Sequence, residues 1–112
     1  MRSAGPNLRP AARGDAPRLL ELWRESGAGP THTDDLESIA TLLAFDPAAV
    51  IVADVEGRLV GSVIAGRDGW RGSMYRLAVA PEFRRRGLGG QLVAEGKRRL
   101  GELGARRLQA IV

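Results

Sequence analysis

The junction Leu77-Ala-Val-Ala-Pro-Glu-Phe-Arg-Arg-Arg-Gly-Leu-Gly-Gly-Gln-Leu-Val93 restricts the fold more than any other part of this sequence: an apolar strand stops, three arginines follow, and a glycine-punctuated helix begins. Pro81 has no N–H to give a strand ladder, so it ends the run from Met74 to Ala80 and forces a loop. Gly87, Gly89 and Gly90 then let the backbone approach a ligand with no Cβ in the way, where the unmatched N–H groups of a new helix point outward. Those donors and the positive end of the helix dipole favour a phosphate, and Arg84, Arg85 and Arg86 add charge beside them. The junction reads as an anion site. The bland alternative is that the glycines serve close packing and the arginines are a solvated charge run.

From Gly87 to Gly104 the apolar residues Leu88, Leu92, Val93, Leu100 and Leu103 recur on one side of a helix, with Gly89 and Gly96 in the same stripe. A helical glycine costs about 1 kcal/mol relative to alanine, so two on the packed face imply a helix held unusually close to a sheet. Gln91, Glu95, Arg98, Arg99 and Glu102 make the solvent face.

Before this junction, Leu8 to Ala12 reads as a short first strand, kept to an edge by Pro10. Asp15 is the expected N-cap of a first helix with Pro17 in its first turn and Ala16, Leu19, Leu20 and Trp23 on its buried side. Ser26-Gly-Ala-Gly-Pro30 breaks it. Thr33 is expected to cap a second helix running to about Ala44, with Asp34, Asp35 and Glu37 at its start and Leu36, Ile39, Ala40 and Leu43 as its core stripe. Val50 to Val55 and Leu59 to Ala65 are β-rich runs joined at Glu56-Gly57, and Asp68-Gly69 leads toward Met74 to Ala80, which together predict an antiparallel meander. Arg107 to Val112 reads as a last strand, placed parallel to Met74 to Ala80 by the helical crossover. The expected fold is α+β, with one mixed sheet in the order β-α-α-β-β-β-α-β and a single domain over residues 1–112.

Composition narrows the partners. The formal charge is +4 and Lys97 is the only lysine, so the basic surface is arginine, whose guanidinium forks suit phosphates. Nucleic acid is disfavoured, because aromatics make up only 4% and no motif interleaves them with the charge. Without cysteine there is no thiol nucleophile and no disulfide. His32 stands alone on a polar loop and reads as a bystander, and no residues have metal-ligand spacing. No run of about 18 apolar residues and no apolar signal core occur, so a soluble cytoplasmic protein without a membrane partner is the expectation.

Strand, proline, loop, Arg84-x-x-Gly87-x-Gly89 and helix together resemble the acyl-CoA-binding motif of the GNAT superfamily of N-acetyltransferases. Leu77-Ala-Val-Ala-Pro-Glu-Phe before it, Leu92-Val93 after it, and the order of the flanking elements fit the same family. Leu92 at the third glycine position disfavours a dinucleotide fingerprint, and the lack of Lys-Ser/Thr after Gly90 disfavours a P-loop. The resemblance implies acetyl-CoA as co-substrate, its pantetheine arm in a wedge between the Met74 to Ala80 and Leu108 to Val112 strands, paired with backbone at Leu77 and Val79. It places the diphosphate on backbone donors from Arg84 through Arg85, Arg86, Gly87, Leu88 and Gly89 to Gly90, and the thioester carbonyl at an N–H near Leu77. It also implies that the chain is C-terminally short, since members usually continue with a fourth helix and two further strands.

The same resemblance leaves the acid–base chemistry open. Ser73 stands where many members carry a strand carboxylate and is a candidate only for holding a water; no metal is implied. The usual acid is a tyrosine on the fourth helix. Tyr75 reads as a packed mid-strand side chain, Glu82 as solvated, and Arg76 as facing opposite to Tyr75 and Leu77. Asp68, Trp70 and Arg71 read as turn and edge residues rather than acceptor contacts. The leading reading is transfer of an acetyl group to an amine by direct attack. The alternatives are a catalytically weak acyl-CoA-binding or regulatory module and, as a minor one, an arginine-rich nucleic-acid binder. The apolar edge Leu108, Ala110, Ile111 and Val112 predicts self-association into a homo-oligomer.

Overall fold

Five strands lie side by side in sequence order, with two helices between the first and second and one between the last two. A computed structural model describes residues 5–26, 35–67, 71–102 and 107–110. The elements are β1 (Asn7–Pro10), α1 (Ala16–Glu25), α2 (Leu36–Phe45), β2 (Val50–Val55), β3 (Arg58–Arg67), β4 (Arg71–Val79), α3 (Leu88–Glu102) and β5 (Arg107–Ala110). The sheet order is β1-β2-β3-β4-β5, antiparallel except for the parallel β4–β5 pair. Glu56 and Gly57 both adopt positive φ, 51° and 89°, the conformation that a two-residue turn between twisted strands requires. The expected turn at Asp68-Gly69 lies outside the described residues, as do His32, Leu103, Ile111 and Val112.

The helices cover both faces of the sheet. Trp23 of α1 donates its indole N–H to Ser62 of β3, whereas a Cβ on the neighbouring Gly61 would lie 2.9 Å from Leu92 and 3.2 Å from Leu88 of α3. Adjacent strand residues point to opposite faces, so α1 and α3 sandwich β3. Leu19, Leu22, Leu43, Val50, Val52, Val60, Val63, Leu92 and Leu100 fill the space between and are almost fully buried.

Three local expectations need correction. Asp35, not Thr33, caps α2, its carboxylate accepting the Ser38 N–H at 2.7 Å; Thr33 itself is outside the described residues. Leu36 and Ala40 are exposed, and only Ile39 and Leu43 are buried on α2, because the helix touches its neighbours along a narrower strip than its sequence offers. Asp15 is the N-cap residue of α1 as expected, but its side chain makes no capping bond to the helix. Its buried carboxylate turns back to the Ala12 N–H at 2.7 Å, pairs with Arg9 at 2.8 Å and with Arg18 at 2.9 Å, while Arg9 also reaches Asp54 of β2 at 2.9 Å. One carboxylate thus ties β1 and α1 to the sheet.

Close approach of α3 is real at Gly96, where an added Cβ would lie 2.7 Å from the Met74 sulfur and 3.6 Å from the Ala65 Cβ. Gly96→Val is expected to destabilise the chain by about 2 kcal/mol through overpacking, read as a lower urea midpoint with unchanged m. An unchanged midpoint would mean that α3 rides farther from the sheet than this contact indicates.

Candidate functional site

β4 is regular at its start and irregular in the middle. On β3, Ser62 and Ile64 pair with Ala78 and Tyr75, so three steps on β4 match two on β3 and the extra residue is accommodated at Arg76-Leu77. Arg76 has φ 57°, a left-handed conformation that costs a non-glycine residue about 1 kcal/mol or more. Such a bulge breaks strand alternation. The Arg76 guanidinium lies over the Trp23 ring at 4.8 Å, on the α1 face. Met74 meets Gly96 of α3, so the preceding regular pairing puts Tyr75 on the α1 face as well. Arg76 therefore does not face opposite to Tyr75 as expected from simple alternation.

On its other side β4 pairs with β5 only from Arg71↔Arg107 to Met74↔Ala110. Among the described residues, Tyr75 to Val79 has no β5 partner. Leu77 and Val79, both half-buried, sit along this unpaired edge. Ser73 is half-buried and pairs with Gln109, at the closed end of the β4–β5 pairing.

At the far end, the Ala80 N–H donates to Val60 at 2.8 Å, and Pro81–Phe83 makes one 3-10 turn. Arg85 (φ 64°) and Gly87 (φ 80°) then turn the chain into α3, whose first intrahelical bond runs from the Gln91 N–H to the Gly87 carbonyl at 3.1 Å. The N–H groups of Leu88, Gly89 and Gly90 precede that bond and have no carbonyl one turn back. Packing does not explain why the last two are glycine: a Cβ on Gly89 would meet only Val79, at 3.9 Å, and one on Gly90 would meet nothing within 4 Å. Close packing thus accounts for Gly96 and not for Gly89.

The three arginines have different surroundings. Arg84 folds back along the surface, donating from Nε to the Val79 carbonyl at 3.3 Å and from Nη2 to the Ser26 carbonyl at 2.6 Å, and so straps the end of β4 to the end of α1. Arg86 lies over the Phe83 ring at 5.2 Å, and both it and Arg85 are exposed. Glu82 is ionised and paired with Arg58 at 2.7 Å; its own backbone hydrogen bond, then Arg58, holds it below the usual carboxylate range. Among the described residues no group of three His, Cys, Asp or Glu is arranged to hold a metal, and no helix is long and apolar enough to cross a membrane. Sequence reasoning placed Trp23 on the buried side of α1 but missed the bulge and the bond from Trp23 to Ser62; the only local signal was a lone hydroxyl in the apolar run from Leu59 to Ala65.

The model of the acetyltransferase (GNAT) family matches residues 16–112. This chain belongs to the GNAT family. An acetyltransferase of Photorhabdus laumondii is 36% identical over 98 residues, covering 88% of this chain and 68% of its own length. The GNAT-like loading domain of CurA from Lyngbya majuscula superposes with a TM-score of 0.84 at 17% identity, over 97% of this GNAT chain and 65% of that one. N-acetylglutamate synthase from Neisseria gonorrhoeae, solved with coenzyme A and N-acetylglutamate, superposes with a TM-score of 0.74 at 22% identity, over 97% of this chain and 26% of its own. At those identities the structures speak to the fold. Family membership makes the chain an acyltransferase, of mixed α+β architecture.

Proposed function

We propose that this GNAT domain transfers an acetyl group from acetyl-CoA to an amine by direct attack. The observation that carries the reading is the bulged Arg76-Leu77 peptide beside the unpaired half of β4, in line with the open N-terminus of α3. The residues present fit CoA: the Leu88, Gly89 and Gly90 donors and the cations of Arg85 and Arg86 suit a diphosphate, and the missing Cβ atoms leave it room. Leu77 and Val79 offer strand backbone to the pantetheine amides, as a neighbouring strand would. A solved relative of the fold, the Neisseria enzyme, holds coenzyme A.

When bound, acetyl-CoA supplies an activated thioester carbonyl. The Leu77 N–H stabilises the negative charge that develops on that oxygen as the amine nitrogen adds to the carbonyl carbon. As the C–S bond breaks, the thiolate leaves with the electron pair, and the proton lost by the amine passes to water. Ser73 holds a water at the closed end of the wedge; its hydroxyl is too weakly basic to take the proton itself. Arg84 fixes the loop's position, with two of its five N–H donors engaged by Val79 and Ser26.

One observation favours a second reading, a catalytically weak CoA-binding module: β4 carries no carboxylate between Arg71 and Val79. Incubating the chain with acetyl-CoA and a panel of small amines and amine-bearing peptides, with free thiol as readout, separates the two. Amine-dependent thiol release is expected; CoA binding by calorimetry with none would favour the module, and no binding at all would overturn both.

A further inference from the structure

Ser62 is fully buried in β3, between the sheet and α1, in a stretch that is otherwise apolar. A buried hydroxyl without partners costs stability, and this one has two. It accepts the Trp23 indole N–H at 2.9 Å and lies 3.4 Å from the Arg76 carbonyl, to which it donates. Because the indole occupies one side of the oxygen, the hydroxyl proton is directed to that carbonyl. The contact is long for O–H···O, as hydrogen bonds of a resting site often are.

The Arg76 carbonyl and the Leu77 N–H belong to one peptide group, and in a planar trans peptide they point in opposite directions. β3 and β5 flank β4 on opposite sides. Drawing the carbonyl toward Ser62 on β3 therefore turns the Leu77 N–H toward the β5 side, where β4 has no partner beyond Met74 among the described residues. The β3–β4 register shifts at this point, from Ser62↔Ala78 to Ile64↔Tyr75, so the Ser62 hydroxyl is a contact that β3 makes to the bulged peptide in addition to the ladder.

We infer that Ser62, oriented by Trp23, is a positioning residue for acyl transfer: its hydroxyl sets the direction of the N–H that stabilises the thioester oxygen. This rests on the acetyl-transfer reading above. It assigns a purpose to two buried residues 39 positions apart in the chain.

Ser62→Ala is expected to lower kcat by roughly 10- to 100-fold, less than or equal to the loss of an oxyanion donor, with KM for acetyl-CoA changed less than about twofold. Ser62→Thr, which keeps the hydroxyl, should restore most of it, and Trp23→Phe, which removes the indole donor that orients the hydroxyl and shrinks the ring beneath Arg76, should fall between. On labelled protein without ligand, the Arg76 carbonyl carbon-13 resonance should move upfield in Ser62→Ala and stay in place in Ser62→Thr. A folded Ser62→Ala with wild-type kcat, or one whose carbonyl resonance does not move, would overturn the inference. So would a loss of kcat that merely follows the folded fraction. A wild-type chain that transfers no acetyl group would instead overturn the functional reading, and Ser62's catalytic purpose with it; the carbonyl resonance would still report whether the hydroxyl holds the bulge.

Discussion

Replacing Gly89 with valine is expected to lower CoA affinity by at least ~100-fold while the chain stays folded. The fold tolerates a side chain there, because the nearest atom to an added Cβ is a Val79 methyl at ordinary contact distance, 3.9 Å. A ligand seated on the helix N-terminus does not, since the valine stands between it and the Gly89 and Gly90 donors. Losing one or two charge-assisted hydrogen bonds at about 1.5–3 kcal/mol each corresponds to that factor. Gly89→Ala should weaken binding less and leave stability equal or slightly higher, as alanine is the better helix residue. Calorimetry with CoA, alongside circular dichroism, measures both. Undiminished affinity in a folded Gly89→Val chain would move the diphosphate away from α3.

The second large effect is expected at the other edge of the sheet. Asp15→Ala should cost about 3–4 kcal/mol, because it leaves Arg9 facing Asp54 alone and the Ala12 N–H without its acceptor. The effect has a pH signature. Hydrogen bonding from Arg9 is the main cause that holds the Asp15 carboxyl below its ordinary range, and Arg9 does the same for Asp54. A carboxylate with a depressed native pKa contributes stability above its unfolded pKa, about 3.9, and loses it as pH falls through the native value. The gap in urea midpoint between wild type and Asp15→Ala should therefore be full near neutral pH and narrow below about pH 4. A gap that persists unchanged into acid would show that volume and packing, not charge, are what Asp15 supplies.

Periodicity and turn chemistry made the element order legible, because each depends on residues near one another in the chain: Val50 to Val55 matches β2 residue for residue, and Glu56-Gly57 takes the two positive φ values its turn needs. Pro81 ends β4 for an equally local reason. Choices among neighbouring candidates were harder. Thr33, Asp34 and Asp35 can all cap a helix, and Asp35 does so because its carboxylate reaches the Ser38 N–H. Asp15 was legible as a helix-start residue, yet its carboxylate is taken by Arg9, a partner only the folded sheet provides. The bulge was not legible at all. It arises from a mismatch between β3 and β4, and the Ser62 hydroxyl that supports it looks in the sequence like a polar interruption. The glycines of the anion loop were legible as a group, but their separate duties were not: Gly87 turns the backbone, Gly96 admits Met74, and Gly89 faces open space beyond one methyl.

Strand order that follows chain order has a consequence for how the molecule assembles. β2, β3 and β4 can pair by closing short loops, whereas β1 must wait for two helices and β5 for the whole of α3 to be crossed. The meander, with Ser62 and the bulged peptide already inside it, is the cheapest part of the sheet to form. Among the described residues β5 joins over four pairs, at the end of β4 away from the Arg84–Gly87 turn. By this ordering the stretch of β4 beyond Met74 takes its shape from β3 before the β4–β5 pairing is made.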